Sequence, residues 1–119
     1  MPTVMVSGGG RFTERFESQI WLDRPALYII QRDCNVTGLA ENWHISRMAH
    51  LRGLLSIPHN WHGGGTTMSN AHFVDGIPNG AYCELNQTRN PLKEDIFNDP
   101  LTVSDPIMAL SRGPDSVWS

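Results

Sequence analysis

Runs of apolar residues separated by glycine and proline predict several short β-strands. The clearest run, residues 26–30, reads Ala-Leu-Tyr-Ile-Ile and is typical of a central strand covered on both faces. Weak alternation of apolar and polar residues favours another strand within residues 12–22. Residues 71–74 and 81–85 flank the turn-forming residues 75–80, which predicts a β-hairpin.

One longer segment predicts an amphipathic helix. Between Gly38 and Leu55, apolar residues fall on about half of the helical wheel and polar residues lie opposite. Pro58 ends the segment, because proline cannot continue a helix. His44 falls in the middle of the apolar half, where its ring must find a polar partner. It is either a core histidine bonded to backbone or a histidine that faces a pocket as acid, base or ligand donor.

Together these elements predict an α+β fold, in which a small, mostly antiparallel sheet carries helix 38–55 on one face. The 119 residues fit one domain, which we assign to residues 1–100. The chain has 11 glycines and 8 prolines, so we expect many loops and little long regular structure.

Residues 101–119 predict an extended C-terminal arm. They combine apolar residues with repeated prolines and have too little periodicity to form a core of their own. We expect the arm to pack on the domain or on a neighbouring subunit, because a tryptophan next to the end is costly to leave in water. Its candidate interface residues are Trp118, Ile107 and Met108. Exchanged arms are a common way to build oligomers, so the expected partner is a second copy or a neighbouring protein subunit.

The charge balance disfavours nucleic acid as a partner. The formal net charge is −3, whereas proteins that neutralise phosphates usually carry a basic face.

No apolar stretch approaches the roughly 18 residues that span a bilayer, and the first residues lack the features of a signal peptide. We therefore expect no membrane partner, reduced cysteines, and a cytoplasmic or virion-associated protein that is not secreted through a signal peptide.

All five histidines lie between His44 and His72. Among them, His59, His62 and His72 provide three imidazoles, which can hold Zn²⁺ or another divalent ion and leave a position open for water. Such an ion would make the bound water a nucleophile. The alternative is that these histidines form local hydrogen bonds at turns and on the surface.

A glycine-rich loop follows two of these histidines. Gly63, Gly64 and Gly65 precede two threonines, and successive backbone N–H groups in such a loop can bind an anion. Trp61 lies between His59 and His62 and offers a large, rigid contact surface. Together with His44, the three glycines and Trp61 form a candidate ligand-binding site. The alternative is an ordinary loop that binds nothing.

Neither cysteine has the signature of a catalytic nucleophile. Cys83 falls in a strand pattern with apolar neighbours, which indicates an inert core thiol. Cys34 follows Asp33, and its only basic neighbour in sequence is Arg32. Paired carboxylates for acid–base catalysis are not apparent in the sequence.

Three hypotheses for function follow. The first is a non-catalytic binding or assembly protein, such as a small viral or phage structural or accessory protein, with no cofactor. The second is a small metal-dependent enzyme or metal-binding domain that uses His59, His62 and His72, with zinc as the divalent metal. The third is a binding protein for a small phosphorylated ligand, with its pocket between the helix and the sheet.

Overall fold

The computed structural model describes residues 4–95, 102–104 and 107–110. Its main sheet has three short parallel strands in the order β1-β2-β3, which are Ser7–Gly8, Ile29–Ile30 and Leu55–Ser56. An isolated parallel bridge between Ser56 and Gly80 continues the sheet beyond β3. Backbone bonds from Tyr28 and Gln31 to the carbonyls of Val6 and Gly8 hold β2 against β1.

Helices connect these strands, because parallel strands need a crossover rather than a tight turn. Their bounds are α1 Arg15–Leu22, α2 Cys34–Thr37, α3 Leu39–His50, α4 Gly64–Asp75 and α5 Pro91–Glu94. The first helix lies between β1 and β2, the next two lie between β2 and β3, and α4 follows β3. A separate antiparallel hairpin is formed by β4 (Thr102–Ser104) and β5 (Ile107–Ala109).

The prediction of an α+β fold with a small sheet is confirmed at that level, but the prediction of a mostly antiparallel main sheet was wrong. Residues 12–22, expected to contain a strand, contribute α1 instead. Residues 71–74 lie inside α4, so the predicted hairpin with residues 81–85 does not form. A short apolar run cannot be distinguished from a buried helical segment by periodicity alone.

The predicted helix 38–55 forms over a shorter span, and it buries a different face. Helix α3 ends at His50, and Gly53, with a φ of +71°, lets the chain turn into β3. Trp43 is 43% exposed and Leu51 is 83% exposed, although both were expected on the apolar side. The buried face is instead made of two polar and two apolar residues, Asn42, Ile45, Ser46 and Ala49.

Hydrogen bonds explain why this half-polar face can be buried. The Ser46 and Ser56 hydroxyl oxygens lie 2.6 Å apart and join α3 to β3. Asn79 Nδ2 donates to the carbonyls of Ser46 and Leu54 at 3.1 and 3.0 Å. Buried polar groups that find such partners avoid the cost of desolvation. The apolar core beside them is one cluster, Leu22, Ile30, Ile45 and Ala49.

Ion pairs tie α1 and the turn after it to α3. Arg15 makes a bidentate pair with Glu41, with Nη2 2.6 Å from Oε2 and Nε 2.9 Å from Oε1. Arg52, just past α3, pairs with Asp23 at 2.5 Å. Two-point arginine–carboxylate contacts fix orientation as well as distance, so they set how the first crossover helix lies along the second.

We predict that Gly80→Ala destabilises the protein. A Cβ at Gly80 would lie 2.3 Å from the carbonyl oxygen of Val74, so the backbone beside the Ser56 bridge must move. The expected loss is about 1–3 kcal/mol, measured from urea unfolding followed by circular dichroism. Gly76→Ala is the matched control, because its Cβ would make an ordinary contact at 3.4 Å. Equal unfolding midpoints for the two variants would contradict this account.

Candidate active site

Titratable side chains gather beyond the carboxyl ends of β2 and β3. Asp33 comes three residues after β2, and His59 and His62 follow β3. Glu84 lies four residues after Gly80, which pairs with Ser56 in the parallel direction. Because parallel strands end at the same edge of a sheet, these residues converge although they span 52 positions of sequence.

His59 is held by Glu84. Its Nδ1 lies 3.0 Å from Glu84 Oε2, and the same oxygen accepts a hydrogen bond from the Asn60 backbone N–H at 2.8 Å. The exposed fractions of the His59 and Glu84 side chains are 35% and 34%. When Nδ1 donates to a carboxylate, the other ring nitrogen, Nε2, is left to accept a proton.

His62 lies against Asp33. Its Nε2 is 3.1 Å from Asp33 Oδ2, which is an ion-pair distance. Asp33 is fully buried, and its Oδ1 accepts from the Asn35 N–H at 2.8 Å, which caps α2. Oδ2 has no hydrogen-bond partner among the described residues, so the His62 ring is close enough but not aligned for a hydrogen bond. His62 itself is 41% exposed.

Two buried asparagines hold the loop that carries both histidines. Asn60 Nδ2 donates to the Glu84 carbonyl at 2.8 Å and to Thr67 Oγ1 at 2.9 Å. Asn70 Nδ2 donates to the His59 carbonyl at 3.1 Å, while its Oδ1 accepts from the Cys34 N–H at 3.2 Å. The two amides therefore connect the loop after β3 to α4, to α2 and to the Glu84 segment.

A buried guanidinium lies next to Asp33 in sequence. Arg32 donates to the Gly9 carbonyl at 3.0 Å and to the Thr37 hydroxyl, and its guanidinium lies 5.7 Å from the centre of the Phe12 ring. Burial lowers the pKa of Arg32 to about 10, against the raising effect of Glu17, Glu41 and Asp33. The side chain stays charged at neutral pH and joins the carboxyl end of β1 to α2.

The predicted three-histidine metal centre is not assembled. Within the described ranges, no group of three or more His, Cys, Asp or Glu side chains could hold a metal ion. His59 and His62 face carboxylates instead. His72 is exposed on α4 and lines a groove between α3 and α4, because the helix that begins after the loop carries it away.

The structure separates the predicted ligand-binding residues. His44 is exposed on α3 and, with Gly65, lines the same groove of about 1260 Å³ as His72. Trp61 is 64% exposed and is not among the residues lining that groove. Gly63 is the N-cap of α4 and Gly64 is its first residue, so the three glycines begin a helix rather than form a loop.

Among the predicted interface residues, Ile107 is exposed on β5. Met108 is partly buried and lines a cavity of about 380 Å³ with Leu85 and Tyr82. Trp118 lies outside the described residues.

Sequence reasoning missed Asp33 and Glu84 as members of the candidate site. They lie 51 positions apart in sequence, so no spacing rule pairs either of them with a histidine. The sequence did contain a local indication of both residues. Asp33 follows the apolar strand at residues 26–30, and Glu84 lies within the apolar run at residues 81–85. In a parallel sheet, polar residues at such positions mark the functional edge.

Parallel strands with helical crossovers, and histidine–carboxylate pairs beyond the strand ends, are the features of a barrel-related α/β fold with its site at that edge. The chain matches the model of the enolase C-terminal domain-like family over residues 2–114. It is 25% identical over 120 residues to D-galactarolactone cycloisomerase from Agrobacterium fabrum, which covers 93% of this chain and 32% of that protein.

Two solved structures show the same fold. One is a mandelate racemase/muconate lactonizing enzyme from Sulfitobacter sp., with 26% identity and a TM-score of 0.80 over 89% of this chain and 26% of that chain. The other is the 3,6-anhydro-D-galactonate cycloisomerase from Zobellia galactanivorans, with 21% identity and a TM-score of 0.86 over 98% of this chain and 33% of that chain. The chain spans about a third of the curated relative's length.

The chain belongs to the enolase C-terminal domain-like family. This membership, with relatives named as a cycloisomerase and a mandelate racemase/muconate lactonizing enzyme, overturns the expectation of a non-catalytic viral or phage assembly protein. The expected association with a virion loses its basis with it. That expectation depended on finding no catalytic motif, whereas the histidine–carboxylate pairs exist only in three dimensions. In the described part of the chain, no helix has the length and apolar character needed to cross a membrane.

Enolase-superfamily sites use a Lys or His base with one or two Mg²⁺ ions. Mg²⁺ prefers oxygen ligands in a near-octahedral arrangement. The described residues offer no group of three candidate ligands. Asp33 and Glu84 each have one carboxylate oxygen close to an imidazole nitrogen, at 3.1 Å and 3.0 Å. These residues by themselves do not fit a complete Mg²⁺ site.

The two cysteines are free, with Cys34 buried and Cys83 partly buried. Burial raises the pKa of the Cys34 thiol. For Cys83, burial and then the negative charge of Glu84 raise the pKa from 9.0 to about 11. A thiol with a raised pKa contains less thiolate at neutral pH, so neither cysteine is an activated nucleophile.

We predict that Cys83 in the folded protein reacts slowly with iodoacetamide. At pH 8, the difference between 9.0 and about 11 corresponds to about a hundredfold less thiolate than in the unfolded chain. Mass spectrometry of a Cys34→Ser variant, alkylated with and without urea, measures the ratio. The rate should rise steadily as the pH approaches 11. Equal rates in the folded and unfolded protein would contradict the assignment.

Proposed function

We propose that this chain supplies the general base of an enolase-superfamily isomerase, and that the base is His59. The reaction would begin with removal of a proton from the carbon next to a substrate carboxyl group. The observation that carries the proposal is the His59–Glu84 pair, 3.0 Å apart at the carboxyl-end edge of the parallel sheet. Histidine is one of the two bases that this superfamily uses.

The geometry gives His59 the properties that a base needs. With Nδ1 directed at Glu84, the proton acceptor is Nε2, and the imidazolium formed by proton transfer is stabilised by the adjacent carboxylate. The ring is about a third exposed, so a substrate can reach it. Asn60 and Asn70 fix the loop backbone on either side, which keeps the ring in one place.

Glu84 would act as the positioning residue for this base. Its Oε2 receives both the His59 ring and the Asn60 N–H, and its own backbone carbonyl accepts from Asn60 Nδ2. A carboxylate held by two donors on one loop cannot rotate freely away from the imidazole. This supports a role in orienting the ring rather than in touching the substrate.

For the substrate, we propose a sugar acid or its lactone. The relatives named above are a D-galactarolactone cycloisomerase and a 3,6-anhydro-D-galactonate cycloisomerase. Both names describe carbonyl compounds whose conversion leaves the molecular formula unchanged. The base assigned here suits such substrates, because the proton next to their carbonyl group is the acidic one.

We predict that His59→Gln lowers kcat/KM by about 10²–10⁴-fold, which is the usual contribution of a general base. D-galactarolactone is the first substrate to test, and proton NMR in D₂O follows both product formation and exchange at the carbon next to the carbonyl group. His50→Gln is the matched control. His50 is exposed and is the last residue of α3, so this variant should leave the rate unchanged.

Two results would overturn this proposal. His59→Gln turning over at the wild-type rate would exclude His59 as the base. Wild-type protein that exchanges no carbon-bound proton in D-galactarolactone, or in a panel of aldonic and aldaric acids and their lactones, would exclude the substrate class.

A further inference from the structure

The main parallel sheet has an open edge on each side. Within the described residues, β1 pairs with β2 alone, and no strand lies outside it. At the opposite side, Gly80 pairs with Ser56 of β3, and no described strand pairs with the far side of residues 80–85, which we call the Gly80 segment. The β4–β5 hairpin forms a sheet of its own. Unpaired strand edges present backbone N–H and C=O groups that can pair with another chain.

Apolar side chains are exposed at both open edges. Val4, Met5 and Val6 lead into β1 and are 70%, 54% and 49% exposed. Successive residues of an extended segment point to opposite faces, so both faces of this edge lack cover. In the Gly80 segment, Tyr82 is 73% exposed. Single exposed apolar residues are common, but a run of them beside an unpaired edge is typical of an interface.

The outward backbone groups of β1 belong to Ser7. The carbonyls of Val6 and Gly8, on either side of it, accept hydrogen bonds from residues of the β2 segment. Backbone groups of neighbouring residues in a strand point to opposite sides, so the N–H and C=O of Ser7 point to the open edge. A strand from another chain can therefore pair with Ser7 without disturbing the bonds between β1 and β2.

The two open edges are complementary to each other. Consider a second copy whose strands run in the same direction and whose helices lie on the same side of the sheet. Such a copy meets β1 with its opposite edge, which is the Gly80 segment. This contact is heterologous, because it joins two different surfaces, and heterologous contacts either close into a ring or continue as a filament.

The number of strands and the curvature of the sheet favour a closed ring of two copies. One chain supplies four parallel strand positions, namely β1, β2, β3 and the Gly80 segment, and parallel barrels with helical crossovers close with eight. A Cβ at Gly10, which follows β1, would lie 3.3 Å from Cβ of His59, which follows β3. A flat sheet keeps second-neighbour strands roughly 9–10 Å apart, so this close approach indicates that the carboxyl-end edge already curves inward.

We propose that two copies of this chain close one eight-stranded parallel barrel, with β1 of each copy paired to the Gly80 segment of the other. Because every strand runs in the same direction, the carboxyl-end edges of both copies lie at the same mouth of the barrel. Each copy then supplies half of the wall around this mouth, whereas a single copy leaves its candidate active site open on two sides. The proposal is independent of the role proposed for His59. A second copy was also a partner expected from the sequence, although there the contact was the C-terminal arm.

Analytical ultracentrifugation of the whole chain at micromolar concentrations tests the first edge. The wild-type protein should sediment with twice the 13.3 kDa mass of one chain. Ser7→Pro removes the outward N–H and keeps the carbonyls that bond to β2, since proline is tolerated where an edge faces solvent. This variant should sediment at 13.3 kDa. Ser7→Ala keeps the N–H and should remain a dimer, so it is the matched control.

The second edge is tested in the same way with Tyr82→Asp, because a charge on an edge strand blocks pairing with another chain. Tyr82→Phe keeps the ring and is the matched control. Tyr82→Asp should be a monomer and Tyr82→Phe a dimer. Circular dichroism of each variant checks that the helices are kept, and if Ser7→Pro loses its helical signal, the two Tyr82 variants decide the result.

Three results would overturn the proposal. The first is a wild-type protein that stays a monomer at all concentrations tested. The second is a mass that keeps rising with concentration, because it indicates an open filament instead of a closed ring. The third is a dimer that dissociates with Ser7→Pro but not with Tyr82→Asp, because the copies then meet through β1 alone.

Discussion

Parallel pairing of β1, β2 and β3 is the constraint from which the arrangement of this molecule follows. Each strand has only two residues, yet the shared direction requires every connection to cross back over the sheet, and helices make those crossings. The same direction brings all the strand ends to one edge. Asp33, His59 and His62 meet there because each one follows a strand end.

Buried amides and hydroxyls, rather than apolar contacts alone, hold this edge in place. Asn60, Asn70 and Asn79 are buried, and each donates to backbone carbonyls of a different segment. Such bonds are directional, so they fix the position of a loop in a way that apolar packing does not. The site therefore combines a rigid backbone with two histidines that remain accessible.

Among the described residues, the clustered histidines do not form the predicted metal centre. Two of the five histidines face carboxylates at the site, whereas His44 and His72 lie on a groove between two helices. The chain belongs to the enolase C-terminal domain-like family, and the carboxylate partners of the two histidines support the proposed role in proton transfer. A non-catalytic assembly role has no support in the fold.

The sequence by itself determined the features that depend on neighbouring residues: the strand at Ile29–Ile30, a helix within residues 38–55, and a histidine-rich segment. Strand direction, the buried face of α3 and the pairing of His59 with Glu84 were decided only by tertiary structure. Each depends on contacts between residues far apart in sequence, such as Asn79 with Ser46, or Asn60 with Glu84. Periodicity reports which residues are apolar, but it does not report which polar residues find a buried partner, and in this protein those partners define both the fold and the site.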